Sequence, residues 1–244
     1  MEIRKVENYS EMSQTASTII INTIKHKKSP VLGLATGSTP EGLYQELIHQ
    51  YNNHVFSFKD VTTFNLDEYV GLGKGNPQSY HYYMKEKLFK HLDINMENVN
   101  IPNGTVQHLE KECENYEKSI KEAGYIDVQV LGLGLNGHIG FNEPGTPFSS
   151  STHVVELDDT TRKANARFFT SMDEVPQKAI TMGLTTIMHS KKILLLVSGE
   201  NKAEPLARLI NGNISEDFPA SMLKKHPNVT IIADKSAFVA LNSK

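Results

Sequence analysis

A run of aliphatic residues, Ile126, Val128, Val130, Leu131 and Leu133, breaks up in the stretch LGLGLNGHIGFNEPG, residues Leu131–Gly145, and this junction constrains the fold more than any other. β-Branched and aliphatic residues ended by glycines read as a buried strand. The glycines and the proline that follow break regular structure, yet Asn136, His138 and Glu143 are packed among them. A polar cluster at the carboxyl end of a buried strand is where open α/β sheets bind ligands.

The same grammar recurs along the chain. Val31–Leu34 precedes ATGSTP and a segment whose Leu43, Tyr44, Leu47, Ile48 and Tyr51 share a helix face, with Thr39 the expected cap and Pro40 the first helical residue. Val61–Leu66 reads as a strand ending in Asp67-Glu68-Tyr69, and Lys191–Val197 as one followed by a helix from Asn201 that carries Lys202 and turns Ala203, Leu206, Ala207 and Ile210 inward. Val229–Ala233 is the last clear strand and Val154–Leu157 a short one. Helical stripes are expected over Glu11–Ile24 with Ser10 as cap, from Ser79 through Tyr80, Tyr83, Met84, Leu88 and Leu92, and along Leu109, Cys113, Tyr116 and Ile120, closed by Gly124. Thr161–Phe169 and Pro176–Met188 are predicted helical as well.

Strands alternating with helices, without a repeat or a long linker, predict an α/β fold: a single doubly wound, mostly parallel, Rossmann-like sheet with helices on both faces. The expected catalytic domain spans residues 1–244, and either the loop at 71–78, with Gly71, Gly73, Gly75 and Pro77, or the helices near it form a candidate lid.

The chemistry narrows by elimination. Gly132, Gly134 and Gly137 match GxGxxG, but a dinucleotide site needs a helix to begin at the third glycine, and HIGFNEPGTP carries no helical stripe. HExxH, paired CxxC and GxSxG are absent, which removes the familiar zinc and serine-nucleophile patterns. The turn at Thr36–Thr39 has two readings: an anion cradle at a helix start, or simply a capped helix. Asp67 and Glu68 point to opposite faces if they lie on a strand, so at most one faces a given site, and a solvated loop start is the other reading. General acid–base work by Asp67, His138 and Glu143 on a small anionic substrate remains.

A net charge of -3 gives no electrostatic case for nucleic acid. The amino terminus lacks the apolar core of a signal peptide, no apolar run is long enough to span a bilayer, and the lone Cys113 suits a reducing compartment, so the expectation is cytoplasmic.

TGSTPEGLY, FNLDEYVGL, SYHYYM, GLNGHIGFNEPG, TRKANARFF and AITMGL, in this order, resemble the motif set of the glucosamine-6-phosphate deaminase (isomerase) family, from about Leu32 to Lys202. The resemblance implies conversion of glucosamine 6-phosphate and water to fructose 6-phosphate and ammonia, with no metal or organic cofactor. Asp67 then matches the base that moves a proton between C2 and C1, and His138 the residue that opens the sugar ring, assisted by Glu143. Gly37, Ser38, Thr39, Arg167 and Lys202 match the phosphate-binding set. Asn136 stands where many relatives have Asp, so it can orient His138 but brings no charge.

Hexameric relatives activated by N-acetylglucosamine 6-phosphate have basic residues after GFNEP and a longer carboxyl terminus, whereas His153 and Val155 stand here and the sequence ends at Lys244. The expectation is a monomer or small homo-oligomer without that activation. The alternatives are a 6-phosphogluconolactonase-like hydrolase, whose His motif resembles GHxASLFPG, and a sugar-phosphate-sensing module of a repressor, for which the residues before the first strand leave little room.

Overall fold

Seven strands lie parallel at the centre of the computed structural model, which describes residues 1–157, 162, 169 and 171–241. They are β1 (Glu2–Val6), β2 (Val31–Leu34), β3 (Thr62–Asn65), β5 (Val99–Asn100), β6 (Val128–Gly132), β9 (Ile193–Val197) and β10 (Val229–Asp234), in the order β1-β10-β9-β6-β2-β3-β5. A second sheet of three strands, β4 (Asp67–Tyr69), β8 (Lys178–Thr181) and β7 (His153–Glu156), is antiparallel, with β8 in the middle.

Side-chain alternation explains why the central sheet is covered on both sides. Leu194 and Leu196 of β9 join a core with Leu32, Leu34, Val128 and Val130, packed under α1 (Tyr9–His26), α2 (Glu41–Asn52) and α3 (Tyr80–Lys87). Ile193, Leu195 and Val197 point the other way, into a core with α4 (Leu109–Glu122), α5 (Leu184–Met188) and α6 (Ala203–Asn211). Buried strands of this kind show continuous apolar runs because both faces need them. Among the described residues, no helix is long and apolar enough to cross a membrane.

Four local readings change. Residues 176–188, expected to be helical, supply β8 and only the short α5, because Ala179, Ile180 and Thr181 pair with both β4 and β7. The solvated-loop reading of Asp67-Glu68-Tyr69 falls, since all three are buried in β4. Helix α1 is capped by Asn8, whose side chain accepts the Glu11 N–H at 3.0 Å, and not by Ser10. Helix α2 begins at Glu41 without a side-chain cap; the Tyr9 hydroxyl on α1 accepts the Gly42 N–H instead, at 2.7 Å. Strand β1 has no counterpart in the pattern reading, because four of its five residues are exposed and leave no apolar signature. The predicted helix at 161–169 lies outside the described residues apart from Arg162 and Phe169.

Candidate active site

Three strand ends meet on one side of the sheet. Strand β2 lies between β3 and β6, so the turn after β2, the Asp67 strand after β3 and the glycine-rich loop after β6 are neighbours. Leu66 donates its N–H to Leu34 O at 3.0 Å, which ties the Asp67 strand to the end of β2. On the other flank Lys202, after β9, donates to Leu133 O at 2.8 Å.

Asp67 is only 6% exposed. Among the described residues no hydrogen bond reaches its carboxylate, and burial, followed by the charge of adjacent Glu68, pushes it up to about 8. A carboxyl group poised near neutrality exchanges a proton readily in both directions, which suits a group that must take and return one. The loop after β6 comes to it: a Cβ on Gly140 would lie 3.5 Å from Asp67 Oδ2 and 3.0 Å from Thr181 Oγ1.

The loop itself is folded by its own polar groups. Gly134 N–H donates to His138 O at 2.9 Å, and a side chain on Gly134 would overlap the His138 ring. Gly137, at φ +90°, lies against the Phe218 ring with no room for a Cβ and accepts the Ala220 N–H at 2.9 Å. Within this frame Nδ1 of His138 is 3.5 Å from Glu143 Oε2. Asn136 Nδ2 donates to the same oxygen at 2.6 Å, while its Oδ1 accepts the His138 backbone N–H at 3.2 Å. Asn136 therefore orients Glu143 and the loop, and bears on the His138 ring through them.

The turn at 36–39 is held from outside by tyrosines. Tyr44 donates to Ala35 O at 2.5 Å, Tyr83 to Gly37 O at 2.6 Å and Tyr9 to Ser38 O at 2.9 Å. With these carbonyls engaged and Gly37 at φ +101°, the backbone is fixed in a form that a residue with a side chain adopts only under strain. Thr39 lies against the end of β6, its Oγ1 3.9 Å from where a Cβ on Gly132 would sit. Lys202 is partly buried, and burial lowers its ammonium below the ordinary lysine range.

A family model described as glucosamine-6-phosphate isomerases/6-phosphogluconolactonase matches residues 5–232. The chain belongs to this family. The glucosamine-6-phosphate deaminase of Oceanobacillus iheyensis is 62% identical over 237 residues, covering 97% of this chain and 95% of that protein. Glucosamine-6-phosphate deaminase 1 of Bacillus subtilis is 53% identical over the same number of residues, 97% of this chain and 98% of that one. A solved structure of a monomeric glucosamine-6-phosphate deaminase superposes with a TM-score of 0.96 at 52% identity, covering 98% of this chain and 100% of that chain. A 6-phosphogluconolactonase from Thermotoga maritima shares the fold, with a TM-score of 0.76 at 22% identity over 96% of this chain and 99% of that one.

Of the site residues expected from the sequence, Asn136, His138 and Glu143 share one loop against Asp67, and Gly37, Ser38, Thr39 and Lys202 flank that loop. Arg167 lies outside the described residues. Other contributors went unnoticed. Buried Asn142 donates to Ile139 O at 2.9 Å and Met182 O at 2.8 Å, pinning the loop to the strand that pairs with β4. The Tyr80 hydroxyl reaches Tyr69 and Thr36. The signal was faint: an Asn inside an otherwise apolar-flanked FNEPG, and tyrosines on helix faces that any core helix would show. Among the described residues no three His, Cys, Asp or Glu side chains converge to hold a metal ion.

Proposed function

We propose that this chain is an enzyme that converts glucosamine 6-phosphate and water to fructose 6-phosphate and ammonia, an aldose–ketose isomerisation coupled to deamination. The observation that carries this is identity of 51–62% to glucosamine-6-phosphate deaminases across essentially the whole chain, against 22% and 20% to the solved 6-phosphogluconolactonases of Thermotoga maritima and Leishmania guyanensis. The geometry agrees with the chemistry. Asp67 is the base that removes the proton from C2 and returns it at C1, through an enolamine. His138, with Glu143 beside it, moves the proton that opens the ring at the anomeric oxygen. Gly37, Ser38 and Thr39 with Lys202 and Arg167 hold the phosphate, each charged hydrogen bond contributing about 1.5–3 kcal/mol.

The whole chain serves as one catalytic domain, with the 71–78 loop as its lid. The site needs no metal or organic cofactor in this reading, and the protein works in the cytoplasm as a monomer or small homo-oligomer. His153 and Val155 on β7 carry no fixed positive charge where activated hexameric relatives have basic residues, so the rate curve should be hyperbolic with or without N-acetylglucosamine 6-phosphate. Incubation with glucosamine 6-phosphate should yield equal amounts of ammonia and fructose 6-phosphate. Release of neither, with hydrolysis of 6-phosphogluconolactone instead, would move the chain to the other branch of its family.

A further inference from the structure

Glu68 is fully buried, with no exposed surface, although it stands on a strand whose other carboxylate faces the site. Its oxygens are completely occupied. Oε1 accepts the Tyr69 N–H at 2.8 Å and the Tyr80 N–H at 3.0 Å, and Oε2 accepts the His81 N–H at 2.9 Å and lies 2.8 Å from His81 Nδ1. With Ser79 Oγ accepting the Tyr82 N–H at 3.1 Å, the first three N–H groups of α3 are all satisfied, two of them by a side chain from another element. That helix then carries Tyr80, whose ring is 4.8 Å from Tyr69, and Tyr83, whose hydroxyl fixes Gly37 O.

We propose that Glu68 is a positioning residue for the reaction: its carboxylate docks the first turn of α3 on the base-bearing strand, and so joins the phosphate turn to Asp67, while its charge sits on the residue next to Asp67. The inference rests on Asp67 being the proton-transfer base. A residue that only capped α3 would serve equally well as a Ser or Asp local to the helix, and Ser79 already fills that position. Glu68 instead ties three parts together, the strand of the base, the helix and the turn that helix holds.

The charge has a direction of effect. The groups whose charge or polarity bears on Asp67 are Glu68 beside it on its own strand, Tyr44 from α2, Tyr80 from α3 and Tyr116 from α4, with Thr181 of β8 near its Oδ2 through Gly140. Facing Glu68 are His81 and the α3 backbone. Among the described residues no Lys or Arg forms an ion pair with either carboxylate. A negative charge beside a buried acid disfavours its ionised form, so Glu68 works with burial and not against it.

Two variants of the full-length protein separate reach from charge. Glu68→Gln keeps the reach and removes the charge, though it turns one accepting oxygen into an amide donor; Glu68→Asp keeps the charge and shortens the reach by one methylene. Titration of the Asp67 carboxyl by carbon-13 NMR should move to lower pH by about half a unit or more in Glu68→Gln, and the acid limb of kcat/KM should move with it. In Glu68→Asp the titration should stay raised while KM for glucosamine 6-phosphate rises severalfold at nearly constant kcat. An Asp67 titration in Glu68→Gln that matches the wild type overturns the charge role. Unchanged KM in a folded Glu68→Asp overturns the docking role, and that variant decides the docking even if the Gln variant does not fold. The NMR titration needs no turnover. A protein that does not deaminate the sugar, yet shows the displaced titration, sinks the functional reading and keeps the charge role of Glu68.

Discussion

Asp67 and Asp127 expose nearly the same small fraction of their surface, 6% and 5%, yet Asp67 lies deep in the molecule and Asp127 just beneath its surface, and their proton affinities are driven in opposite directions. Asp127 precedes β6, at the end of the sheet away from the site. It accepts hydrogen bonds from Lys27, from Lys191 at 2.8 Å and from the Val31 N–H at 2.9 Å. Burial pushes its carboxyl up, but these donors outweigh burial and hold it below the ordinary carboxylate range. Among the described residues Asp67 has the deeper burial without the donors, and a like charge besides. One aspartate rivets three chain segments, and the other is left with a raised proton affinity. Low exposure alone therefore does not set a carboxyl's proton affinity; depth and partners decide it together.

The contrast breaks most visibly at Asp67. Asp67→Asn should cut turnover by about 10²-fold or more while binding of the phosphosugar stays nearly intact, measured as ammonia release and ligand titration. Near-normal turnover would remove Asp67 from the mechanism. Asp127→Ala should do the reverse, lowering stability by about 2 kcal/mol chiefly through the buried Val31 N–H left without its acceptor, with turnover at permissive temperature unchanged. A denaturant melt beside an activity assay checks both halves.

The two aspartates should also separate on the pH axis. The folded value of Asp67 is raised from 3.8 to about 8, so the stability it contributes is fully present below 3.8 and is lost as pH rises to about 8. Asp127 is depressed on folding, so its contribution is present above the ordinary carboxylate range and is lost as pH falls through its lower folded value. Comparing melts of Asp67→Asn and Asp127→Asn with wild type across pH should give stability differences of opposite slope, and parallel curves would refute the contrast. The free-enzyme kcat/KM should climb with pH toward about 8 as Asp67 ionises.

Smaller effects test the loop that Asp67 faces. Gly134→Ala forces a methyl into the space of the His138 ring, and should lower kcat about tenfold by displacing it. Asn136→Asp puts a carboxylate 2.6 Å from that of Glu143 if the side chains keep their places. It should shift one limb of the pH–rate profile, with only a few-fold change in the maximum. An unchanged profile would show that Asn136 matters only for loop geometry.

Much of this was legible in the residues. The apolar runs at Val31–Leu34, Lys191–Val197 and Val229–Ala233 became β2, β9 and β10, because strands covered on both faces must be apolar throughout. Misreadings occurred where the partner, and not the local pattern, sets the structure. Residues 178–181 have no strand signature of their own and are extended because β4 and β7 sit on either side. The edge strand β1 is mostly exposed and owes its form to pairing with β10. At the site, the residue types of the loop announced polar chemistry, but nothing near Tyr9, Tyr44 or Tyr83 in the sequence tells that their hydroxyls grip the turn at 35–38.

By itself the sequence determined the alternation of strands and helices, the placing of polar clusters at strand ends and the motif set that marks the family. These are local properties, set by period, glycine and side-chain type within a few residues. Tertiary structure alone decided that Asp67 and not Glu68 faces the site loop, that Glu68 is spent on the start of α3, and that Asn136 pairs with Glu143 and not with the ring of His138. The reason is that desolvation, like-charge proximity and hydrogen-bond donors come from elements far apart in the chain, and only their packing brings them within the few ångströms over which they act.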